Sequence, residues 1–180
     1  KQATIAYNLD PFSLMINDNV ATVYWMARDY EKEIEFGKRL IELEPNFRGG
    51  HCDVGQGLMN LKRYEEAVPE YETAIRQNYS SPTLRNLALL YGLMGEKEKV
   101  REVLEKMEIL RNTQWVGNYD MGVVHMSLGE FDVAYQYFQK AIEEREGTML
   151  YLRYPIRFFP EFEKDPRTKK LLDRIGLPYK

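Results

Sequence analysis

The chain has 180 residues, 44% of them hydrophobic and 29% charged, with a formal charge of −3 at pH 7. That composition suits a packed helical or mixed domain with one continuous core, and the acidic balance argues against nucleic-acid binding. A single cysteine, Cys52, excludes an intrachain disulfide and favours a reducing, cytoplasmic setting, and no apolar run approaches the roughly 18 residues that a membrane-crossing helix needs.

In chain order, Ala3, Ile5 and Leu9 of residues 1–10 (KQATIAYNLD), ahead of Pro11, match the ending of the later LIELEP. They read as the second helix of a repeat whose first helix is missing. The chain is therefore expected to be part of a longer protein and to present an apolar end. Four helix pairs follow, over residues 12–46, 47–79, 81–111 and 113–146. Gly55, Ala88 and Gly122 each lie 12 residues before Ala67, Val100 and Ala134, and further alanines follow at Ala74 and Ala141. Matching positions advance by 34, 33 and 34 residues, the period of stacked helix-turn-helix units. Small residues in mid-helix let a neighbouring helix approach, and Tyr24, Tyr30, Leu58, Tyr64, Leu87, Tyr91, Met121 and Phe131 supply the apolar volume beside them. The remaining segment, 150–180, leaves the period. Asp165 and Pro166 read as N-cap and first helical residue, Leu171, Leu172 and Ile175 as a short apolar face, and Gly176 with Pro178 as the stop, giving a capping helix.

The pattern resembles the tetratricopeptide repeat over about residues 11–146. The second copy carries Gly55, Leu58, Tyr64, Ala67, Tyr71 and Ala74, and the fourth Gly122, Gly129, Phe131, Ala134, Phe138 and Ala141. The first copy keeps Ala21, Tyr24, Tyr30 and Leu43-Glu44-Pro45 but has Glu33 and Leu40 where the family prefers alanine. The third keeps Ala88, Tyr91 and Gly95 but has Val100 and Met107 at those positions. The resemblance implies an all-α, right-handed superhelical solenoid closed by the C-terminal capping helix, acting as a non-catalytic module that binds a peptide or helical segment of a protein partner in its concave groove.

The family's groove-facing positions 2, 5, 6, 9, 12 and 13 carry over by register. The first copy supplies Met15, Asp18, Asn19, Thr22, Trp25 and Met26, and the second Gly49, Cys52, Asp53, Gln56, Met59 and Asn60. The third supplies Pro82, Arg85, Asn86, Leu89, Gly92 and Leu93, and the fourth Val116, Tyr119, Asp120, Val123, Met126 and Ser127. Family members that clamp a C-terminal carboxylate use several cations here, whereas this chain offers Arg85 beside Asn86. Trp25, Met26, Met59, Tyr119 and Met126 point instead to an apolar or helical segment as the ligand. A competing use of the same residues is packing against the tail, whose Tyr151, Tyr154, Phe158, Phe159 and Phe162 also need cover.

The tail sequence DPRTKKLLDRIGLP is similar to the end of repeat regions in bacterial multidomain regulators, including winged-helix activators and class III nucleotide cyclases. Thr168 stands where an aromatic is usual and Glu163 where an arginine is usual. This resemblance implies an alternative role, a regulatory or self-association region controlling an upstream output domain. Residues 151–180 hold 8 Lys and Arg against 4 Asp and Glu, so a basic tail follows an acidic array; head-to-tail contact between copies and plain solvated faces both fit.

No catalytic, metal or cofactor site is expected. GGHCDVGQG, residues 49–57, lacks the lysine and hydroxyl residue of a phosphate loop. His51, Cys52 and Asp53 are consecutive, so on a helix they point about 100° apart and cannot share one ion. His125 stands in register with Tyr24 and Tyr91, a packing position. Glu98, Glu102 and Lys106 lie at four-residue spacing, as on a wet helix face.

Overall fold

The computed structural model describes residues 2–178, with side chains from residue 5 onward. Ala3, one of the residues matching the LIELEP ending, and Lys180 in the basic tail fall outside the described side chains. All regular structure among the described residues is helical, and the chain divides into two compact units, residues 1–86 and 87–180.

The first unit holds α1 (Gln2–Leu9), α2 (Leu14–Ala27), α3 (Tyr30–Leu43), α4 (Arg48–Asn60), α5 (Tyr64–Gln77) and the start of α6 (Ser81–Met94). Ser13 and Asp29 open α2 and α3 as N-caps, their side-chain oxygens accepting from the Ile16 and Lys32 amides. From α1 to α5 each helix packs on the next, and α2 also touches α4. The α3–α4 contact is close because glycines meet there. A Cβ on Gly50 would lie 2.9 Å from the Gly37 carbonyl oxygen, and one on Gly57 2.6 Å from Ile34 Cγ1. Ala21, Leu40, Val54, Ala67, Tyr71 and Ala74 form the core, and Glu33, where the family prefers alanine, is buried with them.

The second unit holds the rest of α6, α7 (Lys97–Leu110), α8 (Asn118–Leu128) and α9 (Phe131–Glu143). A 3-10 turn (Gly147–Tyr151) and three short helices follow: α10 (Arg153–Ile156), α11 (Pro160–Lys164) and α12 (Pro166–Arg174). Asp165 accepts from the Arg167 amide and Pro166 sits in the first turn of α12. The tail is anchored by Phe162, fully buried. Its ring stacks on Tyr135 at 4.4 Å between centroids and meets Phe131 and Phe138 edge-on at 5.4 and 5.9 Å. Thr168 donates its hydroxyl proton to the Phe162 carbonyl, so the Tyr135 hydroxyl donates to Thr168 Oγ1, 2.5 Å away.

The repeat also shows in the backbone. Arg28, Lys62, Gly95 and Gly129, spaced by 34, 33 and 34 residues, all have positive φ, of 60°, 62°, 79° and 81°. Each closes the first helix of a repeat, where a left-handed residue lets the chain reverse into the second. Two copies supply glycine and two force a long basic residue into that conformation.

The start of α8 is capped from a distance. Gly117 has no side chain to offer, and the Glu146 carboxylate takes its place, accepting from the Asn118 and Tyr119 amides at 2.7 and 3.0 Å. A carboxylate at a helix N-terminus satisfies unpaired amides and opposes the positive end of the dipole.

Candidate functional site

The face shared by α2, α4 and the start of α6 carries the first unit's register positions. Met15 and Met26 are 71% and 64% exposed, Asn19 is exposed, and Asp18, Thr22, Trp25, Cys52, Gln56, Asn60, Arg85 and Asn86 are half-buried. Met59 is instead part of the core.

A polar centre lies on this face. Gly49 makes room for it, since a Cβ there would sit 2.7 Å from Asp18 Oδ1. Asp18 from α2 thus lies against α4, and Asp53 follows Gly49 by one turn. Asp53 Oδ2 is sealed from solvent without a hydrogen-bond partner. Burial first, then the Asp18 charge, push the Asp53 carboxyl up to about 8, while Arg48 opposes them. Burial also raises Asp18, again against Arg48. Arg48 Nη1 donates to Cys52 Sγ at 3.7 Å; burial, the largest influence, pushes that thiol up, which leaves it a poor nucleophile at neutral pH.

Several polar side chains here are turned onto their own chain. Asn19 and Asn60 donate to the carbonyls of Met15 and Gln56, both at 2.8 Å. The Arg85 guanidinium donates twice to Asn86 Oδ1, at 3.2 and 2.8 Å, so the Arg85–Asn86 pair meets itself rather than standing as an open carboxylate fork.

The second unit departs from the register expectation. Leu89, Tyr119, Asp120, Val123 and Met126 are buried, and Leu93 is half-buried. Every residue of α8 except His125 is buried. A helix that borders an open groove shows solvent-exposed residues every third or fourth position, and α8 shows none. These residues are core, not open binding surface. The physical reason is in NYDMGVVHMSL itself: Tyr119, Val123 and Met126 fall on one side of the helix and Met121, Val124 and Leu128 on the opposite side, so both need cover.

His51 and Cys52 take different neighbours: His51 Nδ1 lies 2.7 Å from Glu70 Oε2 and Cys52 takes Arg48, while Asp53 Oδ2 has no hydrogen-bond partner. His125 lies 2.7 Å from Glu130 Oε2 and stacks on Tyr137 at 5.2 Å. Among the described residues no group of three or more His, Cys, Asp or Glu could hold a metal ion, and no helix is long and apolar enough to cross a membrane. Trp115, which the register reading leaves aside, is the most exposed aromatic among the described residues of the second unit.

The helix pairs α4–α5 and α8–α9, each pinned by a glycine against an aromatic ring, coincide with the residues that match the tetratricopeptide repeat family model, 51–80 and 117–148. Over these two segments the chain resembles tetratricopeptide repeats. The tetratricopeptide fold extends further in structural comparison. A thermophilic tetratricopeptide protein from Thermus thermophilus superposes with a TM-score of 0.68 at 22% identity, covering 84% of each chain. YrrB, described as a tetratricopeptide protein with an unusual peptide-binding site, gives 0.52 at 16% identity over 97% of this chain and 90% of that one. In sequence, the chain is 28% identical over 117 residues to the tetratricopeptide repeat protein 30 homolog of Aedes aegypti, and 24% identical over 115 residues to intraflagellar transport protein 70A2 of Rattus norvegicus. Each match covers 60% of this chain but spans only 17% of the relative's length.

Proposed function

We propose that this tetratricopeptide chain is a non-catalytic protein-interaction module that seats a peptide or helical segment of a partner on the α2–α4 face of its first unit. The observation that carries this reading is the exposure of Met15 and Met26 beside half-buried Trp25 on a helix whose other side is core. Adaptable thioethers flanking a rigid aromatic suit an apolar helical ligand. The polar centre at Asp18, Arg48 and Asp53 would set the ligand's register. The test is retention of partners from source-cell lysate on the native chain and on a Trp25→Ala, Met26→Ala variant, identified by mass spectrometry. A protein lost with the variant, at unchanged helicity and melting, supports the reading. Equal recovery on both moves binding to another face.

A second reading, a regulatory or self-association region of a longer signalling protein, is favoured by one observation: Ile5, Leu9 and Phe12 are exposed at the first unit's end, Leu9 to 82%. Light scattering distinguishes it, since a mass that rises with concentration and falls in Leu9→Glu, Phe12→Glu supports self-association, and a strict monomer counts against it.

A further inference from the structure

The connection from α7 to α8 runs over seven residues, Arg111–Gly117, against four (Glu44–Phe47) and three (Asn78–Ser80) at the corresponding junctions of the first unit. Its length comes from an unwound first turn. In register Trp115 stands where Leu14, Arg48 and Ser81 begin or sit in helices, but α8 starts only at Asn118, under the Glu146 cap.

Trp115 is 70% exposed, yet it is held. A Cβ on Gly117 would lie 2.9 Å from Trp115 Cη2 and 3.0 Å from Glu146 Oε2, so the indole folds over a residue with no side chain and against the capping carboxylate. The Gln114 amide is fixed to the Leu110 carbonyl at 2.9 Å. Beside the indole opens a cleft of about 270 Å³ lined by Arg111, Gln114, Val116, Asn118 and Glu144. Arg111 is drawn towards Glu108 (3.6 Å) and the Tyr137 hydroxyl (3.4 Å). Glu144 accepts from Asn118 Nδ2 through Oε2, 2.9 Å away, and no hydrogen bond engages its Oε1 among the described residues. The cleft wall thus carries one carboxylate with an unengaged oxygen, Glu144, and one cation, Arg111, already drawn to Glu108 and Tyr137, beside the exposed Trp115 ring.

From this arrangement we infer that the Trp115 cleft is a second interaction site, distinct from the α2–α4 face, that takes an arginine side chain of a partner protein. A guanidinium is planar and weakly hydrated; it stacks on an indole face and forks onto a carboxylate at once, here Glu144. Lysine satisfies the charge but neither the stack nor the fork.

The test uses the 180-residue chain with Trp25→Phe, so that the indole signal comes from Trp115 alone and the α2–α4 reading is not involved. Acetyl-arginine-amide is titrated while the Trp115 indole N–H resonance is followed. A saturable shift is expected, with acetyl-lysine-amide binding more weakly and the neutral isostere acetyl-citrulline-amide producing no saturation. Glu144→Gln, at an exposed site, should weaken the arginine probe about 5-fold or more, as loss of a charge-assisted pair does. A shift with citrulline equal to that with arginine, an equal affinity in Glu144→Gln, no saturation by arginine at all, or preference for acetyl-glutamate-amide would each overturn the assignment, the last by placing the recognition on Arg111.

Discussion

Phe138 fills the space that a side chain at Gly122 would occupy, for a Cβ there would lie 2.5 Å from the ring's Cε1. The same pairing recurs two repeats earlier at a looser fit, where a Cβ on Gly55 would lie 3.2 Å from the Tyr71 ring. The Phe138 ring is fully buried and meets Phe162 edge-on, so it has nowhere to retreat. Gly122→Ala should therefore destabilise the second unit by about 1–2 kcal/mol, strain outweighing the gain in helix propensity. Gly55→Ala should stay within about 0.5 kcal/mol of the native chain, because a shift of a few tenths of an ångström suffices there. Urea unfolding of the two variants checks the ordering; equal losses would contradict it.

The four left-handed turn positions give a prediction of opposite sign. Arg28 and Lys62 bear the steric cost that Gly95 and Gly129 avoid. Arg28→Gly and Lys62→Gly should each stabilise the chain by about 0.5 kcal/mol, the relief being partly offset by the greater freedom of glycine in the unfolded state. Lys38→Gly, on the exposed side of α3, should instead cost about 1 kcal/mol. Melting curves of the three variants separate the two cases.

Removing the Glu146 carboxylate with Glu146→Ala should cost about 1 kcal/mol, the usual loss when a helix N-cap goes, and should free the Asn118 and Tyr119 amides. Hydrogen exchange at those two amides gives the local readout. Unchanged protection there would mean that water or another side chain replaces the cap at no loss.

Asp53 links stability to pH. Its folded carboxyl is raised to about 8 from an ordinary 3.8, so between those values the folded chain binds more protons than the unfolded chain. Stability from this group is thus greatest below pH 4, falls as pH rises towards 8, and is flat beyond. Asp53→Asn removes the group. The variant should gain on the native chain progressively from pH 4 to 8, by on the order of 2 kcal/mol at the upper end. Asp18 is raised in the same direction and flattens the comparison if left in place, so Asp18→Asn, Asp53→Asn is the cleaner background.

Detaching the tail should be costly. Phe162→Ala removes a fully buried ring wedged among Tyr135, Phe131 and Phe138, a loss of about 3–5 kcal/mol. Tyr135→Phe keeps the stack but leaves Thr168 without its hydroxyl donor, and should cost about 1 kcal/mol. Similar losses from both would mean that the hydrogen bonds, not the ring, hold the segment.

The sequence by itself determined what is local or periodic. Gly55 and Gly122 mark where a neighbouring helix comes close, because a repeat of about 34 residues brings a small residue back to the same place in each helix pair; the rings that fill those places, Tyr71 and Phe138, are seen only in the fold. The cap at Asp165 is legible too, since a cap reaches only two or three residues along its own chain. Tertiary structure alone decided which positions stay open. Met15 and Met26 share register positions with Val116 and Ser127, yet the first pair is exposed and the second buried, since burial depends on what else the chain lays over a helix. Equally, Glu146 capping a helix 28 residues before it, and Asp53 lying within reach of the Asp18 charge, follow from closure of the fold in three dimensions. No short-range period encodes where two distant segments meet.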